Sequence, residues 1–210
     1  MGIKAEKLKV SLEKNDFQRI IERYHYKPEE GQRIFALYER MEKEVEAKAY
    51  LKISGKEENK EAMVLVTLGK DLDVLQEKYS KEEKIWEEYA IECLSMELLW
   101  KAYEQVEEKI YILCGQWSGN YGFYGDQIPL EQIKEALLSM EQEEVSCNGA
   151  GALTPKKSVL YGIQLTEKCE NSGRDLCSRC KNKKCENRQY PQKEVLFYGY
   201  QKIFGKKEDL

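Results

Sequence analysis

The chain has 210 residues, enough for a substantial core, and 34 Lys and Arg against 38 Asp and Glu give a formal charge of −4. That weakly acidic balance argues against a duplex-binding protein, and a single histidine argues against a histidine-rich metal site or a Ser-His-Asp triad. No apolar run approaches the roughly 20 residues that span a bilayer, and the stretch from Met1 to Lys7 is charged where a leader would be apolar, so a cytoplasmic protein is expected, with neither nucleic acid nor membrane as partner.

Along the chain, Asn15 and Asp16 are expected to cap a helix whose Phe17, Ile20, Ile21 and Tyr24 form one apolar stripe. His25 ends it as a surface or packing residue. Pro28 opens a second helix, with Ile34, Leu37, Tyr38, Met41 and Val45 at helical spacing. Ala49, Leu51 and Ile53 alternate with Tyr50, Lys52 and Ser54, the pattern of a half-exposed strand. The continuous run from Ala62 to Thr67 predicts a buried strand. A short helix is expected over 71–79, then a long one over 81–113. Its inward side is Ile85, Tyr89, Cys93, Met96, Leu99, Tyr103, Val106 and Ile110, and its Glu and Lys residues form a solvated face. Cys93 and Cys114, among apolar neighbours, read as core thiols.

Residues 115–127 break every helical pattern, with four glycines and four aromatics. Such a loop suits close approach to a ligand, and equally a loop packed on its own aromatics. Pro129 begins another helix, with Ile133, Leu137 and Met140 facing inward. Ser158 to Leu165 reads as a strand entered through Thr154-Pro155-Lys156-Lys157, and residues 194–200 as a closing strand or short amphipathic helix. Long helices on a twisted antiparallel or mixed sheet give an α+β domain over 1–165. Residues 166–210 follow as a cysteine-rich metal-binding loop and closing segment, packed on the same domain.

The most chemically committed stretch is Cys169, Cys177, Cys180 and Cys185, spaced C-x7-C-x2-C-x4-C. Cys177 and Cys180 can place two thiolates on one ion, and the flanking cysteines complete a tetrahedral set. Zinc and an iron–sulfur cluster both accept four such ligands, and spacing alone does not separate them. Lys168, Arg174, Arg179, Lys181, Lys183, Lys184 and Arg188 would offset the negative charge of either centre. The alternative is a loop of ordinary free thiols. A zinc-ribbon nucleic-acid binder is disfavoured by the acidic balance and by the lack of a second C-x2-C pair.

Three blocks in order resemble the activation, or reactivation, domain of cobalamin-dependent methionine synthase, in its stand-alone bacterial form. The first is Val66-Thr67-Leu68-Gly69-Lys70-Asp71-Leu72-Asp73, similar to the family's Thr-Leu-Gly turn ahead of a long helix. The second is Tyr121-Gly122-Phe123-Tyr124-Gly125-Asp126 followed by Ile128-Pro129-Leu130-Glu131, similar to Ser-Pro-Gly-Tyr-Gly-Asp and its helix. The third is Leu153-Thr154-Pro155-Lys156-Lys157-Ser158-Val159, similar to Met-x-Pro-x-Lys-Ser-Val. Together they span about residues 15 to 190, and the stand-alone members carry a similar C-terminal cysteine cluster.

The resemblance implies an accessory to a corrinoid enzyme rather than a free-standing one. It would support reductive methylation of cob(II)alamin with S-adenosylmethionine, on methionine synthase or another corrinoid protein, with an electron-donor protein as a further partner. It implies a cofactor pocket formed by Tyr124, Gly125 and Asp126, with Lys157 and Ser158 at the neighbouring strand and Glu97 contributing from the long helix. The family also places an arginine four residues ahead of its Gly-Tyr pair, where this chain has Gly119. That departure suits an alternative, a non-catalytic interaction module with a degenerate S-adenosylmethionine pocket and a structural metal knuckle that docks a partner. Protein purified without oxygen is expected to carry zinc or iron by elemental analysis and to lose it on Cys180→Ser. A metal-free protein would remove the four-cysteine site.

Overall fold

The computed structural model describes residues 3–55, 60–125 and 127–167. In chain order its elements are β1 (Lys4–Lys7), α1 (Lys14–Arg23), α2 (Gly31–Met41), β2 (Lys48–Ser54) and β3 (Glu61–Thr67). Then come α3 (Asp71–Lys81), α4 (Ile85–Cys114), β4 (Trp117–Phe123), α5 (Ile133–Leu138), β5 (Ser146–Cys147), β6 (Leu153–Thr154) and β7 (Ser158–Thr166). Five strands form one antiparallel sheet in the order β1-β2-β3-β7-β4, and β5 and β6 form a separate ribbon. The expected α+β architecture is therefore present, with a purely antiparallel sheet. The proposed 194–200 element and the four cysteines lie outside the described residues. Among the described residues no helix is long and apolar enough to cross a membrane.

The strand β3 explains why its sequence is continuously apolar. Ala62, Val64 and Val66 join the large cluster that contains α4, while Leu65 and Met63 pack with Ile133, Leu137 and Met140 around α5. Both faces are covered, so alternation disappears. In the neighbouring β2 the half-exposed expectation holds at Lys52 and Ser54 but not at Tyr50, which is covered in the α5 cluster alongside Val145 and Met140.

Helix α4 fills the other side. Ile91, Leu94, Leu98, Ala102, Val106 and Ile110 are fully buried, and Cys93 and Leu99 join them as expected. The expectation fails at the first turns, where Ile85 is 76% exposed and Tyr89 51%. A helix of 30 residues is about 45 Å long, more than the sheet beneath it, and its early turns pack against α2 and α3 instead. Glu97 and Glu107 also depart from a solvated face, being buried at 4% and 6% exposure. Of the two expected core thiols, Cys93 is buried; Cys114 is partly exposed and donates to the Ile110 carbonyl.

The segment read as a glycine-rich loop is largely the strand β4. Its Phe123 stacks on Tyr161 of β7 with ring centroids 5.7 Å apart, Tyr121 lies tilted against the same ring at 6.1 Å, and Tyr103 of α4 meets it edge-on at 5.7 Å. Such pairs add to the area they bury. Burial pushes the Tyr161 phenol well above its ordinary pKa. The Tyr121 hydroxyl donates to Glu107, which accounts for that buried carboxylate.

Helix α1 starts one residue before the expected cap. Glu13 is the N-cap, and Asp16, inside the first turn, accepts the Glu13 amide at 2.7 Å and pairs with Lys101 at 3.1 Å. Burial raises the Asp16 carboxyl, but these contacts outweigh it and hold it below its ordinary value. The revised stripe on α4 has a direct test by urea unfolding. Leu98→Ala is expected to cost about 2–5 kcal/mol, whereas Ile85→Ala should stay within about 0.5 kcal/mol.

Candidate functional site

Two of the three sequence blocks meet in space. The turn after β3 and the approach to β7 are tied by Leu68 donating to the Lys157 carbonyl at 3.0 Å and by Lys156 donating to Asp73 at 2.8 Å. Gly69 sits in the left-handed region at φ +92, with the space of a Cβ only 3.1 Å from Glu46, so a glycine is required there. Ser158 donates to Thr67 at 2.8 Å, a buried hydroxyl pair closing the end of the β3–β7 ladder. The ammonium of Lys157 is buried against Glu92 of α4. Burial raises the Glu92 carboxyl, but Lys157 and Gln76 outweigh it and keep it below its ordinary value.

The second block forms the turn that ends β4. Gly125, at φ +86, donates to the Ile128 carbonyl at 2.8 Å, and Ile128 returns a bond to Phe123 at 3.1 Å. The side-chain oxygen of Gln127 accepts the Phe123 amide at 2.9 Å. The turn folds Ile128 back over the sheet and leaves Tyr124 half-buried beside the α5 cluster, where burial raises its phenol pKa. Asp126 lies outside the described residues.

A groove of about 640 Å³ opens between this turn and the sheet. Its floor is the pair Gly122–Gly162, flanked by Met63 on β3. A Cβ on Gly122 would stand 3.2 Å from Ile128, so the missing side chain admits Ile128 close to the sheet. The polar lining is mostly carboxamide: Asn120, Gln127, Gln132 and Gln164, with Tyr124 on one wall. Glu61 carries the one formal charge among the described lining residues. These groups bind and orient a ligand by hydrogen bonding and apolar contact.

Alternation along β7 places Ser158 on the same face as Gly162 and Gln164, whereas Lys157 turns to α4. Glu97 is also on the α4 side, accepting from Tyr24 at 3.1 Å with Arg23 at 3.8 Å. Of the expected site residues among those described, only Tyr124 lines the groove; Gly125 follows it in the turn, Ser158 points to the same side of the sheet beyond Leu160, and Lys157 and Glu97 lie on the α4 side. Sequence reasoning missed the carboxamides and Glu61. The signal available was polar residues at alternate positions, Gln164 two beyond Gly162 and Asn120 two before Gly122, but it required reading 117–123 as a strand.

Among the described residues no group of three or more His, Cys, Asp or Glu side chains is placed to hold a metal. No family model matches the chain, and no curated protein matches it. Among solved structures it is similar to the crystal structure of the MetH reactivation domain bound to AdoHcy. The TM-score is 0.56, covering 78% of this chain and 78% of that one at 9% identity. That likeness shows the fold, and the resemblance seen in the three sequence blocks reaches the same architecture.

The close packing at Gly119 can be tested directly. A Cβ on Gly119 would lie 2.7 Å from the Gln164 carbonyl oxygen, so Gly119→Ala must shift the β4–β7 pairing and should cost about 1–3 kcal/mol. The control Gly149→Ala has open space around the new methyl and should change unfolding free energy by no more than about 0.5 kcal/mol.

Proposed function

We propose that this protein is a reactivation accessory for a corrinoid protein, either cobalamin-dependent methionine synthase or a relative of it. The supporting observation is a fold like that of the MetH reactivation domain bound to AdoHcy, with a groove of about 640 Å³ beside the Tyr124 turn, within the range of small-molecule sites. In this reading S-adenosylmethionine occupies the groove face and the corrinoid stays with the partner. The partner's corrinoid, reduced by an electron-donor protein, would supply the acceptor for the sulfonium methyl group, leaving S-adenosylhomocysteine as the product. The chain's own residues supply proximity and orientation. Tyr124 and Gly125 belong to the turn beside the ligand, Ser158 lies farther along the same sheet face, and Asp126 is assigned to the site by the sequence resemblance alone. Lys157 ties the approach to β7 to Glu92 of α4, and Glu97 ties α4 to Tyr24 and Arg23 at the end of α1. Cys169, Cys177, Cys180 and Cys185 would hold zinc or an iron–sulfur cluster, carried here by their spacing.

A second reading has one observation in its favour. Gly119 has no space for a side chain, so the family's carboxylate-binding arginine has no counterpart at that position. An interaction module with an activation-domain fold and a metal knuckle would need no such group. The two readings separate in one experiment, using the full chain, methyl-labelled S-adenosylmethionine, a reductant and a cob(II)alamin-loaded methionine synthase. The proposal expects saturable binding of S-adenosylmethionine and label on the corrinoid. Stable association with the corrinoid protein but no ligand binding would favour the module, and neither would overturn both.

A further inference from the structure

Three strands place Glu61, Gln164 and Asn120 in one row at the open end of the groove. Glu61 is paired with Gln164 across β3 and β7, and Gly119 and Asn120 together oppose Gln164 across β7 and β4. The two-against-one count is a bulge, and bulges re-aim side chains. Glycine at 119 permits it, since any Cβ there would meet the Gln164 carbonyl. The consequence is a bond from Asn120 Nδ2 to Gln164 Oε1 at 3.2 Å. Within that bonded pair the Asn120 oxygen remains an acceptor and the Gln164 nitrogen a donor.

We infer that this row recognises the adenine nucleoside of its ligand and makes no use of an amino-acid carboxylate, a conclusion that rests on the proposed S-adenosylmethionine reading. An adenine edge offers an amino donor next to a ring nitrogen acceptor, the complement of the Asn120 and Gln164 pair. Glu61, about one strand spacing farther, can accept from the ribose hydroxyls. The lining carries a carboxylate and, among the described residues, no cation to fork onto a ligand carboxylate. Binding energy therefore comes from the nucleoside end, and the methionine end is left toward the open side.

The test is calorimetric titration of the full chain with S-adenosylmethionine, 5′-methylthioadenosine, 5′-methylthioinosine and methionine. The row predicts methylthioadenosine within about threefold of S-adenosylmethionine, and no binding of methionine. Methylthioinosine, whose edge reverses the donor, should be weaker by at least about tenfold, or about 1.4 kcal/mol. Gln164→Leu should remove the same factor, with circular dichroism confirming the fold. Tight S-adenosylmethionine with methylthioadenosine weaker by about tenfold or more would overturn the inference and leave the function standing. Equal affinity for inosine and adenosine forms would overturn it as well. Methylthioadenosine binding without S-adenosylmethionine would leave the row standing and remove the function, and failure of every nucleoside would remove both.

Discussion

The register between β3 and β7, running from Thr67 opposite Ser158 to Glu61 opposite Gln164, decides what each face of the sheet can do. A slip of one residue would exchange the two faces throughout. With this register, Val64, Val66, Tyr161 and Ile163 pack against α4, and the opposite face receives Met63, Gly162, Glu61 and Gln164. The first face is a dry core. The second is apolar near α5 and becomes polar toward the end of β7, so core and candidate site are two sides of the same pairing.

Two features make that register secure. The aromatic group around Tyr161 ties β4, β7 and α4 together, and it brings the Tyr121 hydroxyl to the buried carboxylate of Glu107 as a hydrogen-bond donor. At the other end of the ladder the turn after β3 and the approach to β7 are joined by the Leu68 and Lys156 amides and the Ser158 hydroxyl. Lys157 and Ser158, from the third sequence block, thus sit where the sheet is anchored, with Ser158 on the groove side and Lys157 on the core side.

Much of this was legible in the sequence. The apolar run of β3, the helical spacing of α2 and the start of β7 at Ser158 all follow from side-chain periodicity. The three ordered blocks pointed to the right architecture. What was hidden has physical causes. Glycines at 119 and 122 erased the alternation of β4, because their role is close approach to Gln164 and Ile128 and not burial of a side chain. Ile85 and Tyr89 fit a helical stripe, yet the helix outruns the sheet that would cover them. Glu61, Asn120 and Gln164 are far apart along the chain and become a row only through cross-strand pairing.

The central claim is that the face of the sheet away from α4 receives an S-adenosyl ligand. It is most directly measured by following side-chain carboxamide and backbone NMR resonances of the full chain as S-adenosylmethionine is added. The account predicts saturable shifts at Asn120, Gln127 and Gln164 and at the amides of Gly122 and Gly162, with α4 residues such as Leu98 unmoved. Shifts confined to the α4 side, or none at saturating ligand, would contradict it.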